Sequence, residues 1–118
     1  MKKKHIYLLE DDQDIREMIQ YLLEEQGYHV SSFASVQSFY EEMGSRHPDL
    51  VVMDIWLPDG DGRHVCRNLR KEETTAGLPI ILMTASSLAT NTDCANDFIV
   101  KPFDVSDFME RVGRLLSA

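Results

Sequence analysis

Apolar positions along the chain follow two periods, one of strands and one of helices. His5-Ile-Tyr-Leu-Leu9 is a short apolar run of strand length that stops at three carboxylates, Glu10-Asp11-Asp12. Ile15, Met18, Ile19, Leu22 and Leu23 then recur at helical spacing, with acidic residues in the first turn and Gly27 as a C-terminal stop. Tyr28 to Phe33 alternates weakly as a second strand, and Ser35 can cap a helix whose Val36, Phe39, Tyr40 and Met43 share a face before Gly44. After Pro48, Asp49-Leu-Val-Val-Met53 is apolar on both faces and terminates at Asp54, followed by the turn-rich Leu57-Pro-Asp-Gly-Asp-Gly62. Val65, Cys66 and Leu69 form a helical stripe that ends near Gly77, and Pro79-Ile-Ile-Leu-Met83 is a buried-type strand leading into Thr84. Phe98-Ile-Val100 is the last strand, followed by Lys101-Pro102, and Asp104 can cap a helix carrying Phe108, Val112, Leu115 and Leu116.

The order is βα repeated five times, with strands apolar on both faces. Such strands belong in a parallel sheet covered by helices on both sides, and right-handed crossovers leave a doubly wound, five-stranded, flavodoxin-like α/β sheet as the simplest topology. One domain over residues 1–118 accommodates it. The weak segment is Ser86 to Asn96, where only Leu88 and a few alanines are apolar and no stripe can be drawn; a shortened or irregular fourth helix is expected there.

Composition narrows the function. Hydrophobic residues at 43% and charged residues at 27% of 118 are ordinary globular usage, enough for a core without staples. No apolar run approaches the roughly 18 residues of a membrane span, and Lys2 to Lys4 read as a solvated end. A net charge of −8 repels nucleic-acid backbones and favours cations or basic partners. Cys66 and Cys94, with no C-x-x-C, make neither a disulfide framework nor a thiolate zinc site, which suits a reduced cytoplasmic setting. The four histidines lack metal spacing.

Ligands of open α/β sheets bind outside the carboxyl ends of the strands. Those ends carry Glu10 and Asp11, Asp54, Thr84 and Lys101. Three neighbouring carboxylates repel unless a proton or a hard cation sits among them. Oxygen ligands in an open crevice suit Mg²⁺, which takes one or two carboxylates together with phosphate oxygens. Lys101 offers a compact charge and Thr84 a hydroxyl for phosphoryl oxygens, while Asp54, after the central strand, is placed to attack phosphorus and hold an aspartyl phosphate. No Walker loop and no G-x-G-x-x-G is present, so the phosphate is expected from a partner rather than a nucleotide bound here.

Taken together, Leu8-Leu-Glu-Asp-Asp12, Val51-Val-Met-Asp-Ile-Trp-Leu-Pro58 with Asp61-Gly62, Met83-Thr-Ala85 and Phe98-Ile-Val-Lys-Pro-Phe103 resemble the receiver domain of two-component response regulators over essentially the whole chain. The resemblance implies that Asp54 is the phosphoacceptor and that Glu10 and Asp11 form the acidic pair around Mg²⁺, Asp11 as the direct ligand, with the Trp56 carbonyl as a further ligand. Thr84 and Lys101 would contact the phosphoryl group. Phe98 would stand at the aromatic switch position, and Lys101-Pro102 at a cis peptide. It further implies phosphoryl transfer from the histidine of a sensor histidine kinase or histidine phosphotransfer protein, catalysed by the receiver itself and so not an enzyme acting on other substrates. The surface near strands four and five would then change toward an unidentified output partner or domain.

Two departures stand out. The stretch from Ala85 to Cys94 is shorter than the family usually has, and Trp at position 56 can crowd the path of an attacking water. Each residue also has a duller reading: Asp12 as a helix cap, Lys101 as a solvated lysine, Thr84 as a loop hydroxyl, Phe98 as core. Two rival functions remain. A Mg²⁺-dependent phosphatase of the haloacid-dehalogenase type would want an acid two residues after Asp54, where Trp56 stands. A degenerate receiver working as a phosphorylation-independent interaction module predicts no metal site, although the five site residues are present.

Overall fold

The computed structural model describes residues 3–117. Strands β1 (His5–Leu9), β2 (His29–Phe33), β3 (Leu50–Asp54), β4 (Ile80–Thr84) and β5 (Asp97–Val100) form one parallel sheet in the order β2-β1-β3-β4-β5. The helices are α1 (Gln13–Glu25), α2 (Val36–Met43), α3 (Gly62–Lys71) and α4 (Val105–Ser117). A two-residue antiparallel ribbon, Trp56–Leu57 against Gly60–Asp61, joins β3 to α3. The strand order starts at the centre, winds one way to β2 and then back to β5, which places the switch point between β1 and β3.

Strand alternation divides the core in two. Ile6, Leu8, Leu50, Val52, Ile81 and Met83 face α1 and α4, where Ile19, Leu23, Phe108, Val112 and Leu116 meet them. Tyr7, Leu9, Val51, Met53, Ile80 and Leu82 face α2 and α3, against Phe39, Met43, Val65, Cys66 and Leu69. Because successive side chains of a strand point to opposite faces, only strands apolar at every position can sit between two helical layers. β1, β3 and β4 meet that condition except at their end residues His5, Asp54 and Thr84.

Local chemistry sets the helix ends. Asp12 caps α1 through the Ile15 amide at 3.0 Å, and the helix stops before Gly27, whose φ of +93° lies in the left-handed region that glycine enters without a Cβ clash. Ser35 caps α2, accepting from the Ser38 amide, and Asp104 accepts from the Asp107 amide at the start of α4. Met18, expected on the buried stripe of α1, is 47% exposed because that stripe is wider than the sheet contact and its edge borders a cleft. α3 ends at Lys71 rather than near Gly77; turns follow, closed by the Thr75 hydroxyl donating to the Leu69 carbonyl at 2.6 Å. Lys3 and Lys4 are exposed as expected, while Lys2 lies outside the described residues.

The fourth helix, expected to be short or irregular, is absent: residues 85–96 are turns, bends and irregular chain. The cause is the lack of an apolar stripe to bury, so propensity alone cannot offset the cost of helix nucleation. Arginines of α3 hold the segment in place. Arg63 Nη1 donates to the Thr90 carbonyl at 2.8 Å, Arg70 Nε to the Cys94 carbonyl at 2.9 Å, and Arg70 Nη2 to Asn96 Oδ1 at 2.9 Å. Ala89, Cys94 and Ala95 then supply the little apolar cover this side of the sheet receives there.

Candidate functional site

Sheet register brings the chemistry together. Leu9 pairs with Met53, Asp54 with Met83 and Thr84 with Val100, so Glu10, Asp54, Thr84 and Lys101 stand at or one residue past the carboxyl ends of four adjacent strands. Glu10 and Asp54 are 1% and 6% exposed, whereas Asp11 is open to solvent. Carboxylate oxygens of Glu10, Asp11 and Asp54 lie within 4.8 Å of one another.

One cation compensates this cluster. Lys101 Nζ donates to Glu10 Oε1 at 2.5 Å and to Asp54 Oδ2 at 2.6 Å. Burial by itself lowers the basicity of this ammonium, but its bonds to Asp54 and Glu10 outweigh that and hold its pKa above the ordinary lysine value. Glu10 goes the other way from a typical paired acid. Burial pushes its carboxyl up, and the shared Lys101 together with the Asp12 amide, 3.1 Å from Oε2, only partly offsets it. The Lys101-Pro102 peptide is cis, as the resemblance implied.

The remaining predicted residues are placed more loosely. The Trp56 amide donates to Asp54 Oδ1 at 3.2 Å, while its ring is 55% exposed beneath the Arg63 guanidinium, 5.1 Å from the ring centroid. Thr84 is buried; its hydroxyl accepts from the Ser86 amide at 3.2 Å and its carbonyl accepts from the Lys101 amide at 2.7 Å. Phe98 packs half-buried in the α2–α3 core layer, apart from the acids.

Two supporting residues carry no chemistry of their own. A Cβ on Gly62 would fall 2.2 Å from the Asp54 carbonyl oxygen, and the Gly62 amide donates to the Ile55 carbonyl at 2.7 Å. The start of α3 is thus pressed onto the backbone at Asp54, a contact only glycine permits. Asp59, read as turn chemistry, reaches across to α2 and accepts from the Val36 and Gln37 amides at 2.8 and 3.0 Å, which holds its carboxyl below the usual value. The Pro-Asp-Gly triplet signalled a turn; its cross-chain capping depends on tertiary placement and leaves no local signal.

The donor set tests whether a metal belongs here. It is all oxygen, densely anionic, and has one exposed member, Asp11, facing solvent. That fits a hard cation that keeps part of its water shell, as Mg²⁺ does, and not a soft metal. Beside the acids opens a mainly apolar cleft of about 500 Å³ lined by Ile15, Met18, Ala85, Pro102, Phe103 and Val105, with Lys101 at its edge.

The chain is similar to known proteins in sequence and in fold. The response regulator receiver domain family matches residues 6–113. The transcriptional regulatory protein GltR of Pseudomonas aeruginosa is 33% identical over 118 residues, covering 96% of this chain and 49% of GltR. The chain spans about half the length of the curated relatives it matches. Among solved structures, the response regulator TrrA of Thermotoga maritima, in complex with Mg²⁺-BeF, is 30% identical with a TM-score of 0.87, covering 96% of this chain and 99% of that one. The receiver domain of a sensor histidine kinase of Pseudomonas aeruginosa, with a magnesium ion coordinated in its active site cleft, is 27% identical with a TM-score of 0.88, covering 99% of this chain and 100% of that one.

Proposed function

The chain belongs to the response regulator receiver domain family, and from that we propose that residues 1–118 form one receiver whose Asp54 accepts the phosphoryl group. A carboxylate oxygen of Asp54 attacks phosphorus while the bond to the donor breaks. With a phosphohistidine donor that bond is P–N, and the departing imidazole takes a proton. Asp11, Asp54, Glu10 and the Trp56 carbonyl would hold Mg²⁺, which would supply positive charge against the phosphoryl oxygens. Lys101 exchanges Asp54 Oδ2 for a phosphoryl oxygen, and the Thr84 hydroxyl gives up the Ser86 amide to donate to another. Thr84 then draws the segment after β4 inward, and Phe98 changes rotamer behind it, which alters the surface around β4 and β5.

The observation that carries this reading is the Asp54 carboxylate at the end of the central strand, bonded to Lys101 and grouped with two further acids. The same acids count against an interaction module that works without phosphate. In this reading the chain catalyses only its own phosphorylation and dephosphorylation. A sensor histidine kinase or histidine phosphotransfer protein in the cytoplasm is the donor, and the apolar cleft beside Lys101 suits the apolar face of a donor helix. A linked or separate output partner reads the result.

The test uses acetyl phosphate and Mg²⁺ with intact-mass detection, and follows Trp56 fluorescence. One phosphoryl group should be added in a Mg²⁺-dependent way, with a fluorescence change that Asp54→Asn abolishes. No added mass, or undiminished addition to Asp54→Asn, overturns the assignment.

A further inference from the structure

The two cysteines, distant in sequence, meet where the fourth helix is absent. Cys66 is fully buried in the middle of α3, and Cys94 packs against the same core layer from the segment that links β4 to β5. Cys94 Sγ lies 3.9 Å from the Arg63 carbonyl oxygen, one helical turn before Cys66, and the Cys94 carbonyl is bonded to Arg70, one turn after it. Cys94 therefore stands opposite the turn of α3 that carries Cys66. Burial first, and then the neighbouring Cys94, push the Cys66 thiol up, which makes it a slow nucleophile.

Access is unequal. A cavity of about 280 Å³ lined by Arg70, Ala76, Gly77, Asp93, Cys94 and Asn96 opens at Cys94, whereas Cys66 lies behind it in the core. The Arg70 guanidinium, bonded to the Cys94, Ala76 and Leu78 carbonyls and to Asn96 Oδ1, lines this cavity together with Asp93.

We propose that Cys66 and Cys94 are an oxidisable pair that closes to an intramolecular disulfide and fastens the β4–β5 segment to α3. Cys94 reacts first with a disulfide oxidant of the glutathione class, giving Cys94–S–SG and releasing one reduced thiol. Cys66 then attacks the Cys94 sulfur, forms the Cys66–Cys94 bond and expels the second reduced thiol. Two protein thiols are oxidised, one oxidant disulfide is reduced to two thiols, and the two protons end on those thiols. The segment so fastened begins directly after Thr84 and ends directly before β5, and it is held there by the hydrogen bonds of Arg63 and Arg70, by the Asn96–Ile80 pair and by the packing of Ala89, Cys94 and Ala95. Oxidation would replace part of that network by a covalent tie.

The experiment incubates the full chain with oxidised glutathione and reads intact mass and cysteine-linked peptides. Wild type should lose two hydrogens, yield a Cys66–Cys94 peptide and return to its starting mass with dithiothreitol. Cys66→Ala should stop at one glutathione adduct on Cys94, and Cys94→Ala should stay unmodified. Hydrogen exchange of residues 85–96 should slow in oxidised wild type, a readout that needs no variant. A wild-type chain that stops at a mixed disulfide, links to a second chain through Cys94, or stays unmodified overturns the proposal.

Discussion

The Lys101 ammonium and the Asp54 carboxylate form a 2.6 Å ion pair that runs from just past the end of β5 to the end of β3. Both side chains are almost wholly buried, and Glu10 shares the same ammonium. The pair is neutral only if Glu10 is ignored. Counted with Glu10 and Asp11, ionised carboxylates outnumber the one ammonium, so a divalent cation bound here would share one set of carboxylates with Lys101.

Replacing Lys101 separates these two contributions. Lys101→Met keeps the side-chain length and removes the charge, leaving two buried carboxylates without their partner, which should cost about 3 kcal/mol at neutral pH. Mg²⁺ should restore more stability to the variant than it adds to wild type, because no ammonium repels the metal. Phosphoryl uptake should fall roughly 100-fold with the loss of one charge-stabilising group. Urea denaturation with and without Mg²⁺ checks the first part, and a variant as stable as wild type would remove it.

Glu10 gives the apo chain a pH dependence of known sign. Its folded-state pKa lies above its ordinary value of 4.5, so the folded chain binds the proton more tightly than the unfolded chain. The associated stability is fully present below that ordinary value and is lost as pH rises through the folded one. Glu10→Gln should flatten this slope in metal-free urea titrations and weaken Mg²⁺ binding. Asp59 and Asp61, held low by the α2 amides and by Arg63 respectively, work in the opposite direction and lose their contribution as pH falls below the ordinary carboxylate value. A metal-free Glu10→Gln chain with the wild-type slope between the ordinary carboxylate range and neutrality would sink this account.

How far the sequence disclosed all this depends on the distance over which each feature is encoded. β1, β3 and β4 were legible because strands buried on both faces are apolar at every position, and α1 and α4 because caps and stripes are local. The positions of Glu10, Asp54, Thr84 and Lys101 followed from reading the strand ends together. Contacts between distant segments were not legible. Asp59 capping α2, the α3 arginines holding residues 85–96 and the meeting of Cys66 with Cys94 exist only after the chain has folded. The missing helix was half-visible: an absent stripe predicts irregularity, but the arginine carbonyl bonds that make a helix dispensable lie on another element.

Gly62 is such a tertiary requirement with a local appearance. A methyl group there meets the Asp54 carbonyl oxygen at 2.2 Å, a backbone atom that cannot rotate away. Gly62→Ala should therefore shift α3 or β3 at a cost of about 1–3 kcal/mol, even though alanine is the better helix former. In thermal denaturation the midpoint should fall by roughly 4 °C for each kcal/mol. An unchanged midpoint would mean that the ribbon before α3 yields freely.

With Asp54 as the proposed phosphoacceptor, Trp56 should bear on how long the phosphoryl group stays. Its amide is bonded to Asp54 Oδ1, so the residue is fixed at the site, while its ring stands under Arg63 at the surface. Arg63 is itself bonded to Asp61 and to the Thr90 carbonyl, which leaves the ring little freedom to swing aside. Water that hydrolyses an acyl phosphate on Asp54 must approach phosphorus in line, opposite the Asp54 oxygen, and we expect the ring, two residues along and bonded through its amide to Asp54, to crowd that approach. Trp56→Asn removes the bulk and adds an amide able to hold a water, so hydrolysis should quicken by roughly 10-fold, a barrier change of about 1.4 kcal/mol. Arg63→Ala, which frees the ring but keeps it, should fall between the two. Half-lives of the phosphorylated chains, read by intact mass after the donor is removed, decide the matter: equal lifetimes for wild type and Trp56→Asn would show that the indole does not guard the phosphate.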